Sequence, residues 1–159
     1  MGAGGARGVG VNELRATLES WAAREDLAPL AAHHPDERTH LLLHRDDDVE
    51  IYLIAWMPGH DTGFHDHDHS AAAIAVLEGE IAEERLALTG AVERTVGEGE
   101  IVTIAREAIH RVRHSGTRPA TTLHAYSPPL ERVGTYEVAG DGALLRHPRP
   151  AETRLEAAA

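Results

Sequence analysis

The chain has 159 residues, 42% of them apolar and only six aromatic, enough for one core resting on Leu, Ile, Val and Ala. A formal net charge of −11 argues against a nucleic-acid partner, which needs a basic face, and the absence of cysteine excludes disulfides and thiol nucleophiles. No apolar run reaches the roughly 18–20 residues that cross a bilayer, and no charged-then-apolar leader opens the chain, so a cytoplasmic protein without a membrane partner is expected. Residues 1–10 carry five glycines without periodicity and are expected to be disordered. Asn12 is expected to cap a helix running to about Arg24, with Leu14, Leu18 and Trp21 on the face that covers a sheet. Pro29 and Pro35 punctuate an irregular stretch, after which the pattern turns to strands: His40–His44, Val49–Met57, Ala73–Leu77, Glu80–Leu88, Ala91–Val96, Ile101–Ile104, Ile109–Arg113, Ala120–Tyr126, Gly134–Val138 and Ala143–Arg146. Many short strands behind one helix predict an all-β jelly-roll barrel with that helix packed outside. One domain is expected over 11–148, with a flexible tail over 149–159.

All fifteen basic residues are arginine, and the twelve histidines concentrate on either side of one stretch, Gly59-His60-Asp61-Thr62-Gly63-Phe64-His65-Asp66-His67. In a strand, residues i and i+2 point to the same side, so His65 and His67 can converge on one ion while Asp66 points away. His110 is the candidate third ligand. His69, two beyond His67, and His114, which could orient the site from behind, are weaker candidates. Neutral imidazole suits Fe, Zn, Cu and Ni alike, so spacing alone does not name the metal.

Two patterns frame these histidines: Gly59-x5-His65-x-His67-x4-Ala72-x6-Gly79 and Gly99-x5-Ala105-x-Glu107-x2-His110-x3-His114. Together they resemble the two motifs of the cupin superfamily, small β-barrels with a central metal. Ala72 stands where most cupins place a glutamate ligand, which leaves a site of three histidines. Trp56-x2-Gly59-His60-x4-His65-Asp66-His67, His110-Arg111-Val112 and Leu123-His124-Ala125-Tyr126-Ser127-Pro128-Pro129-Leu130 narrow the resemblance to the cysteine dioxygenase family, over roughly 41–136.

That resemblance implies Fe(II) held by His65, His67 and His110, with a small thiol and O2 as substrates and a sulfinic acid as product. It also implies a relay of Thr122, His124 and Tyr126 on one strand face, with threonine in place of the family's serine and Tyr126 hydrogen-bonding to the reactants. The expected substrate is L-cysteine. Another small thiol such as 3-mercaptopropionate is the alternative, and a non-catalytic metal-binding cupin is the competing class. Animal members cross-link a cysteine to the tyrosine; the matching position here is Ala72, so Tyr126 stays unmodified. Members that take cysteine bind its carboxylate with an early arginine. Counted back from His65 without a gap, that position falls on Thr39, and Arg38 beside it is the expected anchor, with Arg45 second.

Overall fold

The computed structural model describes residues 8–152. Helix α1 (Val11–Ala22) is followed by a short 3-10 turn and then by β1 (Thr39–Arg45), β2 (Glu50–Trp56), β3 (His65–Asp66), β4 (Ala71–Glu78), β5 (Glu80–Ala87), β6 (Gly90–Gly97), β7 (Ile101–Ile104), β8 (His110–Ser115), β9 (Ala120–Ser127), β10 (Arg132–Val138) and β11 (Leu144–Pro150). The strands form two antiparallel sheets in the orders β1-β2-β9-β4-β7 and β11-β10-β3-β8-β5-β6. Sequence neighbours such as β2 and β3 lie in different sheets, so the chain winds around a barrel, as the strand pattern predicts.

Alternation along β2, β4 and β9 separates two cores. Ile54, Trp56, Ala72, Ile74, Val76 and Tyr126 face the opposite sheet, where they meet Ile81, Val96, Val112 and Val133. Ile51, Leu53, Ala71, Ala73, Ala75, Leu123 and Ala125 face outward, and α1 covers them with the fully buried Leu14 and Leu18. The outward side of β4 presents Ala71, Ala73 and Ala75 before Leu77, and these small side chains let the helix sit close to the sheet. With both faces covered, the strand reads as a continuous apolar run. Leu18→Ala should therefore cost about 2–5 kcal/mol, since the alanine shelf beneath it has no bulk with which to refill the space. A denaturant midpoint that barely moves at unchanged slope would show the helix to be a loose cover.

Several boundaries differ from expectation for local reasons. Gly10, not Asn12, is the N-cap: its carbonyl accepts the Leu14 N–H at 2.9 Å, so Asn12 already lies inside the first turn, and the helix ends at Ala22. Just ahead of it, the Val9 N–H donates to Ser127 Oγ at 2.7 Å. β11 runs on through Pro148 and Pro150, which pair with Gly134 and Arg132. It is an edge strand, where a missing N–H can face solvent without breaking the ladder. Residues 1–7 and 153–159, where the rest of the expected flexible ends fall, lie outside the described residues. Gly79, at φ +75°, turns the chain from one sheet to the other. A Cβ there would sit 2.6 Å from the Pro119 carbonyl oxygen, so both torsion and space require glycine.

Candidate metal centre

β3 is only two residues long, yet it does what a strand must do here: it sends His65 and His67 to the same side. On one flank His65 pairs with His110 of β8, which brings the third imidazole alongside across the ladder. All three rings are buried. His67 Nε2 lies 3.2 Å from His65 Nε2 and 3.4 Å from His110 Nε2, and the ligand atoms of the trio all fall within 4.8 Å of one another. Nitrogens bound about 2.1 Å from a common ion at tetrahedral to octahedral angles stand about 3.0–3.4 Å apart, so these separations fit one cation.

The tautomers agree with that fit. His65 Nδ1 lies 2.9 Å from the Gly63 carbonyl, which can only accept, so the hydrogen is on Nδ1 and Nε2 offers its lone pair. His110 Nδ1 lies 3.2 Å from Oε1 of Glu83, a carboxylate buried on β5. Burial opposes ionisation of Glu83, but hydrogen bonds from His110 and Arg85 outweigh it and hold its pKa below the usual carboxylate range. An ionised Glu83 accepts the His110 Nδ1 hydrogen, so a neutral His110 presents its Nε2 lone pair as well. Two such lone pairs facing each other's neighbourhood without a cation would repel; with one they become ligands. Glu83 was not singled out from the sequence, although it follows the core residue Ile81 by two on the same strand face, and a carboxylate in a core-facing position is a legible signal.

On the facing sheet, β9 presents Thr122, His124 and Tyr126 inward, all buried. Thr122 Oγ1 is 2.9 Å from His124 Nε2, and His124 Nδ1 is 3.1 Å from the Tyr126 hydroxyl. The Tyr126 ring lies 5.2 Å from the ring of His67, centroid to centroid. Behind Thr122, the Trp56 indole N–H donates to Oγ1 at 2.9 Å, and its ring stacks on His124 at 6.1 Å. Ala72 pairs with Tyr126 across β4 and β9 and contributes no carboxylate. On the other side of Tyr126, its partner on β2 is Glu50, a buried carboxylate that accepts the Leu130 N–H at 2.9 Å.

The remaining histidines named from the sequence stand apart. His69 is exposed beside Asp68, 3.6 Å away, and His114 contacts the Arg118 carbonyl at 2.6 Å. His60 closes the turn before the site, accepting the Met57 N–H at 3.0 Å. The two readings of the arginine position separate by face. Thr39 pairs with Ala55 on the outward side of β2, whereas Arg38, one residue earlier, lays its guanidinium over the inward-facing Trp56 at 5.2 Å. Arg38 is buried, and burial pushes its pKa down to about 10, with Asp61 working in the other direction. Arg45 instead lines a cavity of about 430 Å³ that also touches His67 and Arg132. Among the described residues no helix is long and apolar enough to cross a membrane.

This geometry meets independent likenesses. The family model described as "Cysteine dioxygenase type I" matches residues 6–139. Cysteine dioxygenase type 1 of Rattus norvegicus is 27% identical over 141 residues, covering 81% of this chain and 70% of that protein. The protein of that name from Homo sapiens is 26% identical over the same shares. Among solved structures, TT1209 from Thermus thermophilus superposes with a TM-score of 0.59 at 25% identity, over 66% of this chain and 96% of that one. A cupin superfamily protein from Desulfitobacterium hafniense gives 0.55 at 16% identity, over 64% and 86%, which speaks to the fold alone. With the match running through β10 and the three histidines gathered inside a cupin barrel, the chain belongs to the cysteine dioxygenase type I family of oxygenase enzymes.

Proposed function

We propose that the protein is an Fe(II)- and O2-dependent thiol dioxygenase acting on L-cysteine. His65, His67 and His110 would hold the metal, and Thr122, His124 and Tyr126 would serve the reacting groups. The observation that carries this reading is the convergence of three imidazole nitrogens opposite a buried hydroxyl–imidazole–phenol chain. Fe(II) in such a site supplies the activation of O2 and the acidification of a thiol that coordinates it. The reaction R–SH + O2 → R–SO2H balances without any further reductant, both oxygen atoms ending on sulfur.

The chain's own part is to orient and to hold protons. An indole N–H only donates, so Thr122 Oγ1 accepts from Trp56 and keeps its own hydrogen available for His124 Nε2. With the Thr122 hydrogen given to Nε2, His124 would carry its hydrogen on Nδ1 and donate it to the Tyr126 oxygen. In that arrangement the phenol's hydrogen is not taken up by His124, and the phenol ring lies beside His67. A donor fixed there can stabilise charge that develops on a reactant. Burial of the whole set keeps competing water away from the thiol.

Oxygen uptake by iron-loaded protein, with sulfinate measured alongside, tests the reading. Cysteine-dependent uptake of one O2 per sulfinate supports it. Iron bound at one per chain with no uptake for cysteine, cysteamine or 3-mercaptopropionate would replace it with a non-catalytic metal-binding cupin. Reconstitution with Fe(II), Ni(II) and Zn(II) in parallel separates the choice of ion from the choice of substrate, because affinity alone favours other ions.

Arg38 is proposed as the carboxylate anchor, since a guanidinium matches a carboxylate with two hydrogen bonds and this one lies on the inward side of the barrel. Arg38→Ala should raise the KM for cysteine at least about tenfold, the factor that one lost charge-assisted hydrogen bond of roughly 1.5–3 kcal/mol implies. Cysteamine, which has no carboxylate, should be little affected. Equal losses on both thiols would mark a folding defect, and no loss on either would pass the role to Arg45.

A further inference from the structure

Of the three histidines, His65 lies on β3 and His67 just beyond it, and a two-residue strand cannot orient side chains by its own ladder. His65 pairs with Thr135 and Asp66 with Gly134 on one flank, and only the His65–His110 pair lies on the other. His67 lies just past the strand end, where the chain turns through Asp68 at φ +56°. What holds this segment is the side chain between the two ligands. Asp66 points to the opposite face, where its carboxylate accepts five hydrogen bonds. Arg146 of β11 supplies two, Nε to Oδ2 at 2.8 Å and Nη2 to Oδ1 at 3.0 Å. The Tyr136 hydroxyl supplies one at 2.5 Å, the Gly134 N–H one at 3.1 Å and the Asp68 N–H one at 2.9 Å. The last of these closes the turn around His67, and the others fasten it to β10 and β11.

Gly134 shows how closely this is built. Its φ lies outside the left-handed region, so torsion does not demand glycine there. Space does: a Cβ would fall inside contact distance of Arg146 Nε and 2.6 Å from Asp66 Oδ2. The ion pair lies directly over the bare backbone of β10, the strand that pairs with the metal-bearing one.

We propose that Asp66 and Arg146, seated over Gly134, form a positioning clamp that sets the affinity and geometry of the three-histidine centre without touching the metal. Fixing the backbone on both sides of Asp66 fixes the direction of His65 and His67 together, much as Glu83 fixes His110. A third sheet strand, β11, is thereby coupled to metal binding although it contributes no ligand.

Titration of the apo-protein with Co(II), followed by its visible absorption and by competition with a chromophoric chelator, tests this without reference to turnover. Arg146→Ala should weaken Co(II) binding by about 10–100-fold, the usual range for groups that orient metal ligands, and should shift the visible bands. Arg146→Lys, which keeps the charge but not the two-pronged contact, should recover part of the affinity. Gly134→Ala, with both charged residues intact, should weaken binding in the same direction, and it decides the matter should Arg146→Ala fail to fold. Parental affinity and spectrum in Arg146→Ala, or in Gly134→Ala if the first is unfolded, would overturn the clamp even if the apo-protein melted lower. A parent chain that takes up no Co(II) would overturn the clamp together with the metal centre on which it rests.

Discussion

His110→Ala is expected to lose metal almost completely, with iron content after anaerobic reconstitution and desalting falling from one per chain to near zero, and dioxygenase activity falling with it. The reasoning starts from the count of donors. Ala72 occupies the position from which a carboxylate could have supplied a fourth ligand, and nothing else on β4 replaces it. Among the described residues three neutral imidazoles then make up the candidate donor set, and removing one leaves two donors for a labile divalent ion. The loss should exceed the 10–100-fold typical of groups that only orient ligands. The substitution should also leave Glu83 as a buried carboxylate without its imidazole, though Arg85 and Arg94 remain within ion-pair distance to hold it. The apo-protein should therefore still fold. His65→Ala and His67→Ala should behave alike, since each nitrogen sits within 3.2–3.4 Å of a neighbour in the same cluster. Full iron retention in His110→Ala would mean that the third ligand is misassigned, and His69 and His114 would be poor replacements, the first exposed and the second engaged with Arg118.

Legibility of this site in the sequence varied with the kind of physics involved. The shared facing of the candidate site residues was readable because alternation in a strand is a strict rule, and His65 with His67, and Thr122 with His124 and Tyr126, follow it. The register between β3 and β8 that delivers His110 was not derivable from spacing; it came through the likeness of the second motif, and the structure places that residue directly across from His65. The arginine position shows the limit from the other side. Counting without a gap lands on Thr39, which faces outward, and only the pairing of β1 with β2 shows that the neighbouring Arg38 has the inward face. The partners of the residues that support the centre were hidden for a related reason. Glu83 and Arg146 meet residues far away in sequence within the same sheet, as the pairs Glu83–His110 and Asp66–Arg146 show, and although the core-facing place of Glu83 is legible, no local pattern names its partner. Pro148 and Pro150 misled in the opposite direction, because a proline-bearing segment reads as a strand end unless it is known to lie at a sheet edge.

Tyr126→Phe should separate metal binding from chemistry: iron content at the parental level, turnover lower by about 10²–10⁴-fold, the range for a positioned proton donor. The phenyl ring can keep the buried place of the phenol and its packing beside His67 and Tyr52, so neither the ligands nor the core need move. What disappears is the end of the hydrogen-bond chain that begins at Trp56. His124 would keep its contact with Thr122 through Nε2, but its Nδ1 would lose the phenolic oxygen 3.1 Å away. The KM for cysteine should change less than kcat if the phenol acts chiefly on charge that develops during reaction, because an interaction made only in the transition state does not strengthen substrate binding. Thr122→Val offers the intermediate case: it removes the hydroxyl that links Trp56 to His124 while leaving Tyr126 in place, and it should cost less than Tyr126→Phe. Unchanged turnover in Tyr126→Phe would make the Thr122–His124–Tyr126 face a satisfied polar lining of the barrel, and the three-histidine centre would then have to work without a proton donor from β9.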